Sequence, residues 1–299
     1  MPQRITKAVI PAAGFGTRML PFTKAVPKEL IPLVDKPVIQ YVLEEAVNSG
    51  ITDILLILSE GKEAVLNHFR PHPALEARLK ESGKIELLKS ITPFSSDIKI
   101  SCVWQEELDG LGGAVKLAED FVDGEFFAVL LGDTVLDSTS DIPVTRQLIE
   151  AYELTGNSVV AVEKMAKELL GSYGCIGGIP VAESVLLVDA MVEKPLPHEV
   201  PGEFAVASRY LLSPEIFTLL KSTPRGKANE IQLTDAIKQL IPANRLNARI
   251  ISGHRHDLGS KAGFLAANIA FALRDPKLAG AINQKLAALS PEIAAKFVK

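Results

Sequence analysis

Short β-branched runs alternate with segments of helical apolar spacing through the first half of the chain, and few architectures accept that alternation. Residues 7–13, 54–58, 98–104 and 126–131 read as strands, with helical segments around 61–69, 74–82 and 113–121. Between the first two strands Val38, Ile39, Val42, Leu43, Ala46 and Val47 recur at helical spacing, and Gly50 sits where a C-terminal cap belongs. This is the pattern of βαβ units around a mostly parallel sheet. The expectation is therefore an α/β fold with a Rossmann-like, open, mixed and mostly parallel sheet flanked by helices.

Beyond about residue 140 the rhythm changes. Strands are predicted at 158–163, 174–179, 185–193 and 204–212 with few helices between them, then a helix opening near Asn229, a strand over 247–252 and Ala/Leu-rich helices from 261. No repeat, low-complexity tract or Pro/Ser linker cuts the chain. One domain over 1–299 is expected, with a first half of about 1–140, a strand-rich half of about 141–260 and C-terminal helices over about 261–299.

Composition excludes several function classes. Across 299 residues, 32 Lys+Arg against 36 Asp+Glu leave a net charge of -4, the wrong sign for a surface that coats nucleic acid. No apolar run reaches the ~20 residues that span a bilayer, so a cytoplasmic protein that engages no membrane is expected. The two cysteines, Cys102 and Cys175, lie in apolar β-like segments without metal-ligand spacing, which predicts buried thiols and no disulfide or zinc site.

Chemistry-bearing residues fall at the ends of predicted strands. After the first strand come Gly14, Gly16, Arg18, Lys24 and Lys28, with Pro21, Pro27 and Pro32 between and after them. Glycines directly after a strand let backbone N–H groups approach an anion closely. Met19 replaces the third glycine of a dinucleotide-binding loop, and no Gly-Lys-Ser/Thr completes a Walker loop. A cationic glycine loop remains. A second close-approach loop, Gly110-Leu-Gly112-Gly113, follows the strand that ends near Gln105. In open α/β sheets that edge is where ligands bind.

Asp133 directly follows the strand over 126–131, where a carboxylate suits Mg²⁺ held partly by substrate phosphates. Asp257, in His254-Arg-His256-Asp257-Leu-Gly259, offers a second carboxylate; the two histidines read as supporting side chains. In Val192-Glu193-Lys194-Pro195 an acid and a base end a strand, a pair that suits sugar hydroxyls and a phosphate once the strand stops. No Gly-x-Ser-x-Gly elbow, catalytic cysteine setting or His-Glu-x-x-His is present.

Ala13-Gly14-x-Gly16-Thr17-Arg18-x-Leu-Pro followed by Pro27-Lys28-Glu29 resembles the signature of the sugar-1-phosphate nucleotidylyltransferases. The further segments 33–41, 110–112, 192–195, 230–235 and 256–259 narrow the resemblance to the bacterial enzymes that act on UTP and glucose 1-phosphate. It spans about residues 7–265. The resemblance implies that the backbone around Ala12, Ala13 and Gly14, continuing through Gly16 and Thr17, holds the nucleotide together with the Gln105 side chain and the Gly110 loop, with Glu29 near the nucleoside. It places Arg18 toward the β,γ-phosphates and Lys28 at the reacting centre. Asp133 and Asp257 would hold Mg²⁺, Glu193 glucose hydroxyls and Lys194 the glucose phosphate, while Gly174 lets the sugar approach the backbone. A homo-oligomer, dimer or tetramer, is implied as well. The family usually has Leu-Pro-Asp where this chain has Leu131-Gly132-Asp133. Two alternatives stay open: a glucose-1-phosphate thymidylyltransferase, and a catalytically silent sugar-nucleotide-binding paralogue.

Overall fold

The structure, a computed structural model, describes residues 2–288. Residues 289–299 of the expected C-terminal helices lie outside the described residues; before them stand two helices, Lys261–Ala272 and Pro276–Ala287. Among the described residues one nine-stranded sheet organises the chain. Its strands stand in the order Lys99–Trp104, Asp53–Leu58, Lys7–Pro11, Phe127–Leu130, Phe204–Leu212, Ser158–Lys164, Leu246–Ile250, Val185–Glu193 and Gly174–Ala182. The first four are parallel. Phe204–Leu212 enters antiparallel to Phe127–Leu130, and Ser158–Lys164 and Leu246–Ile250 are parallel to each other. Val185–Glu193 and Gly174–Ala182 then pair antiparallel at the far edge. The α/β open mixed sheet is thus as expected, with the parallel portion concentrated in the first half.

The apolar runs explain why that half is parallel. In the strand Asp53–Leu58, Ile54, Leu56 and Leu58 join the core on one face while Leu55 and Ile57 join the core on the other. A strand buried on both faces needs helices above and below it, which βαβ crossovers supply. Helix Val38–Asn48 covers one face with Val38, Ile39, Val42, Leu43 and Ala46, and Gly50 follows it at φ 92°. Helix Val144–Thr155 packs beside it and is absent from the sequence expectation, although Val144, Leu148, Ala151 and Tyr152 recur at helical spacing; the buried Thr145 and Gln147 add polar side chains to that inner face. Helix Glu215–Ser222 is likewise absent from the sequence expectation, and the segment expected over 113–121 is two short helices, Leu111–Lys116 and Glu119–Val122.

A buried ion pair joins these layers. Arg209, 1% exposed, donates from Nε and Nη2 to the Glu45 carboxylate at 2.7–3.1 Å, and from Nη2 to the Thr134 carbonyl at 2.9 Å. Glu45 also accepts from the Thr145 N–H and hydroxyl. One carboxylate therefore ties two helices to the central strand. Next to it Ser208 takes φ 60°, where the pairing of Phe204–Leu212 with Ser158–Lys164 breaks register. Such a bulge re-aims side chains and frees backbone groups. The Ser208 carbonyl here accepts the Leu131 N–H at 3.2 Å. The Gly132 N–H reaches the Pro11 carbonyl at 3.3 Å, and a short ribbon pairs Thr134–Ser138 with Gly253–Asp257. Both cysteines are free thiols, Cys175 buried and Cys102 half-buried.

Removing one partner of a buried, fully bonded pair leaves an uncompensated charge. Arg209→Met is therefore expected to destabilise the fold by about 3–5 kcal/mol. Denaturant unfolding reads this directly, and a loss below about 1 kcal/mol would show that the pair does not join the layers.

Candidate active site

Two cavities meet at the carboxyl ends of the parallel strands. The smaller, of about 280 Å³, is lined by the Pro11–Gly14 turn, Lys28, Gln105, Gly110 and Asp133. The larger, of about 750 Å³, carries Arg18, Gly174, Glu193, Lys194 and Asp257. Leu111, Leu131 and Asp133 line both. Asp133 thus stands at the junction of one continuous cleft.

The glycine loop is held from beneath. The Lys62 ammonium donates to the Ala12 carbonyl at 2.5 Å, the Gly14 carbonyl at 2.7 Å and both Glu29 oxygens at 2.9 Å, while the Ser59 hydroxyl donates to the Ala13 carbonyl at 2.7 Å. Glu29 is fully buried and lies below the loop, so it acts on the pocket through Lys62. Burial pushes the Glu29 carboxyl up and the Lys62 ammonium down, each against the attraction of the other. Gly16, at φ 67°, turns the chain; a Cβ there would stand 3.1 Å from the Lys28 side chain. Thr17 and Arg18 are exposed on the short helical turn that follows.

Lys28 Nζ is 2.7 Å from Asp133 Oδ2. Burial works against the Asp133 carboxylate, but Lys28 and Arg18 outweigh it and hold the carboxyl below the usual aspartate range. Burial likewise opposes the Lys28 ammonium; Asp133 and Glu29 reverse that and raise its pKa. Both groups are charged at neutral pH. Asp257 faces Thr134 in the ribbon register, the Leu258 N–H reaches the Asp133 carbonyl at 3.2 Å, and both carboxylates line the larger cavity. Asp257 Oδ1 also accepts the Gly259 N–H at 2.9 Å. Two oxygen donors in a cleft with room for phosphates form a donor set that fits Mg²⁺.

The second glycine loop is zipped to a distant segment. The Ile231 N–H donates to the Asp109 carbonyl at 2.7 Å and the Gly112 N–H to the Ile231 carbonyl at 2.8 Å. Gly110 has φ 98°, and a Cβ there would lie 2.7 Å from that of Glu230. Only glycine fits this position. Gln105, 6% exposed, is steadied by Asp109 at 3.1 Å and presents an amide, both donor and acceptor, to the small cavity.

At the far end Glu193 pairs in register with Gly174, and its Oε2 accepts the Thr234 hydroxyl at 2.8 Å. Lys194 takes φ 47°, a left-handed conformation that costs an L-residue on the order of 1–2 kcal/mol. Its ammonium is half exposed and aimed at the cleft instead of closing on Glu193, 3.8 Å away. Burial with Glu193 nearby pushes the Tyr210 hydroxyl far up, so it stays a neutral donor in this wall. Sequence reading missed Lys62, Thr234 and Arg255. Lys62 follows the end of a strand just as Asp133 does, so the same rule finds it; Thr234 lies in the 230–235 segment that carries the resemblance, which by itself gives the hydroxyl no role.

The family model for nucleotidyl transferases matches residues 7–272. The chain is 44% identical over 278 residues to the UTP–glucose-1-phosphate uridylyltransferase YngB of Bacillus subtilis (strain 168), covering 93% of each. A UTP-bound UGPase from Acinetobacter baumannii superposes with a TM-score of 0.88 at 35% identity, over 96% of this chain and 100% of that one. A UDP-glucose pyrophosphorylase complexed with UDP-glucose gives 0.82 at 36%, over 91% and 100%.

Lys62→Met leaves Glu29 buried without its partner and the loop carbonyls without their donor. The expected result is a loss of about 3–5 kcal/mol, with backbone amides of residues 12–16 exchanging at least about tenfold faster. Hydrogen exchange reads the loop directly, and unchanged protection there would contradict the role given to Lys62.

Proposed function

The chain belongs to the nucleotidyl transferase family, and on that premise we propose that it transfers the uridylyl group of UTP to glucose 1-phosphate, giving UDP-glucose and pyrophosphate. The observation that carries this reading is the meeting of the two cavities at Asp133. The small cavity offers the Gln105 amide, Gly14 and Gly110 beside Lys28, the larger offers Glu193 and Asp257 with Arg18 and Lys194, and a displacement between two phosphates belongs at the wall they share at Asp133. In this division of labour residues of about 1–140 hold the nucleotide and residues of about 141–260 the sugar phosphate.

The uracil sits in the small cavity against Gln105 and the Gly110 loop, with the Ala12–Gly14 backbone beside the nucleotide. Glucose 1-phosphate lies in the larger cavity, its hydroxyls on Glu193 and its phosphate on Lys194, with Gly174 leaving room for the ring. A phosphate oxygen of the sugar attacks the α-phosphorus of UTP; that bond forms as the bond to pyrophosphate breaks. The attacking oxygen is already anionic at neutral pH, so no general base is needed. What the chain supplies is alignment and positive charge. Lys28 stands at the reacting phosphate and Arg18 at the departing pyrophosphate. Asp133 and Asp257 would hold Mg²⁺, which when bound neutralises charge on the triphosphate. A homo-oligomer, dimer or tetramer, and a cytoplasmic location complete the reading; no described helix is long and apolar enough to cross a membrane.

A pyrophosphate-release assay over UTP and dTTP, each with glucose 1-phosphate and galactose 1-phosphate, tests the assignment. Preference for dTTP would overturn the choice of nucleotide, and no release from any pair would overturn the activity. Asp133→Asn should fold and lose at least ~100-fold in turnover with Mg²⁺ present; near-normal turnover would remove Asp133 from the metal site. Glu193→Ala should cost on the order of 1.5–3 kcal/mol in kcat/KM for glucose 1-phosphate with UTP binding unchanged. A loss under about 1 kcal/mol is what an ordinary surface pair would give, and it would move the sugar site elsewhere.

A further inference from the structure

Arg255 is a cation in the wall of the larger cavity to which the mechanism assigns nothing. Its side chain is 6% exposed, and its Nε lies 2.5 Å from Glu163 Oε1, a contact of close charges whose angles are not those of a hydrogen bond. The guanidinium carbon stands 3.9 Å from the centre of the Tyr173 ring. At that distance a planar cation is attracted to the negative face of the ring, and more strongly when both are shielded from water. Arg255 is therefore clamped from two sides.

What the clamp holds is a cross-strand contact that the sugar end depends on. The Tyr173 carbonyl accepts the Lys194 N–H at 3.0 Å, and Lys194 sits in the left-handed region with φ 47°. A strained conformation persists only where its surroundings fix it. The hydrogen bond to Tyr173 supplies that restraint, and Arg255 restrains Tyr173. Side chains two apart on a strand share a face, so Arg255 and Asp257, both on Gly253–Asp257, are carried by one rigid element.

We propose that Arg255, held by Glu163 and stacked on Tyr173, is a positioning residue that fixes the cross-strand contact of Tyr173 with Lys194 and so locks the sugar-phosphate lysine to the strand bearing Asp257. This rests on the reading of the cleft as a uridylyltransferase site. Arg255 acts through Tyr173, so the ring matters and its hydroxyl does not.

The test is steady-state kinetics on Arg255→Lys, Tyr173→Leu, Tyr173→Phe and the Arg255→Lys/Tyr173→Leu double variant, with thermal unfolding alongside. Tyr173→Leu and Arg255→Lys should each raise KM for glucose 1-phosphate about tenfold and lower kcat, with KM for UTP within about twofold of wild type. Tyr173→Phe should behave as wild type, and the double variant should be no worse than either single change, since both remove one contact. A Tyr173→Leu enzyme with unchanged glucose 1-phosphate KM, equal rises in both KM values, or additive losses would each overturn the proposal. A wild-type protein without uridylyltransferase activity overturns the activity and this inference together; an active wild type with insensitive variants overturns the inference alone.

Discussion

One buried ammonium sets the geometry of the nucleotide end. Lys62 meets two loop carbonyls and both oxygens of Glu29, and Glu29 follows directly on Lys28, whose ammonium meets Asp133. The chain of dependence is short: Lys62 fixes Glu29, Glu29 fixes the turn that presents Lys28, and Lys28 holds the carboxylate at the junction of the two cavities. The first and last links are charged hydrogen bonds shielded from bulk water, where such bonds are strong when complete and costly when one member is missing, and the middle one is the peptide bond between Lys28 and Glu29. The loop is rigid because its carbonyls are engaged beneath it.

The Arg209–Glu45 pair has a corresponding role in the adjoining layer. It fastens the strand that lines the larger cavity with Val206, Ser208 and Tyr210 to helices Val38–Asn48 and Val144–Thr155, and through the Thr134 carbonyl it touches the segment that begins at Asp133. The two buried pairs thus bear on neighbouring residues, Lys62–Glu29 through Lys28 on Asp133 and Arg209–Glu45 on the Thr134 carbonyl. The ionisation of Asp133 itself follows from its neighbours. Its depressed pKa means that the stabilisation it shares with Lys28 is present in full above the ordinary aspartate value of about 4 and is lost as pH falls through the lower folded value.

Much of this is legible in the sequence. Residues at strand ends are readable because apolar runs mark where a strand stops; that rule led to Gly14, Gly110 and Asp133, and the break at Pro195 marked Glu193 and Lys194. Contacts between distant segments were not readable. Nothing local tells Thr234 that it will donate to Glu193, or Ile231 that it will close the Gly110 loop. Glu29 illustrates the difference. Its position in the motif suggested a place near the nucleoside, whereas the structure sets it one level lower, because a carboxylate was needed against Lys62. Helix Val144–Thr155 carries an apolar stripe at helical spacing, but nothing local shows that its polar Thr145 is turned inside to serve Glu45.

The glycine before Asp133 has a consequence for how the site meets its ligands. Gly132 keeps an N–H that a proline would lack, and that N–H reaches the Pro11 carbonyl while the Leu131 N–H reaches Ser208 and the Asp133 carbonyl receives Leu258. Three separate stretches of chain therefore pin three consecutive residues. The carboxylate moves with the sheet and not with a loop, so its ordering entropy is lost once, when the protein folds, and is not charged again to each incoming substrate.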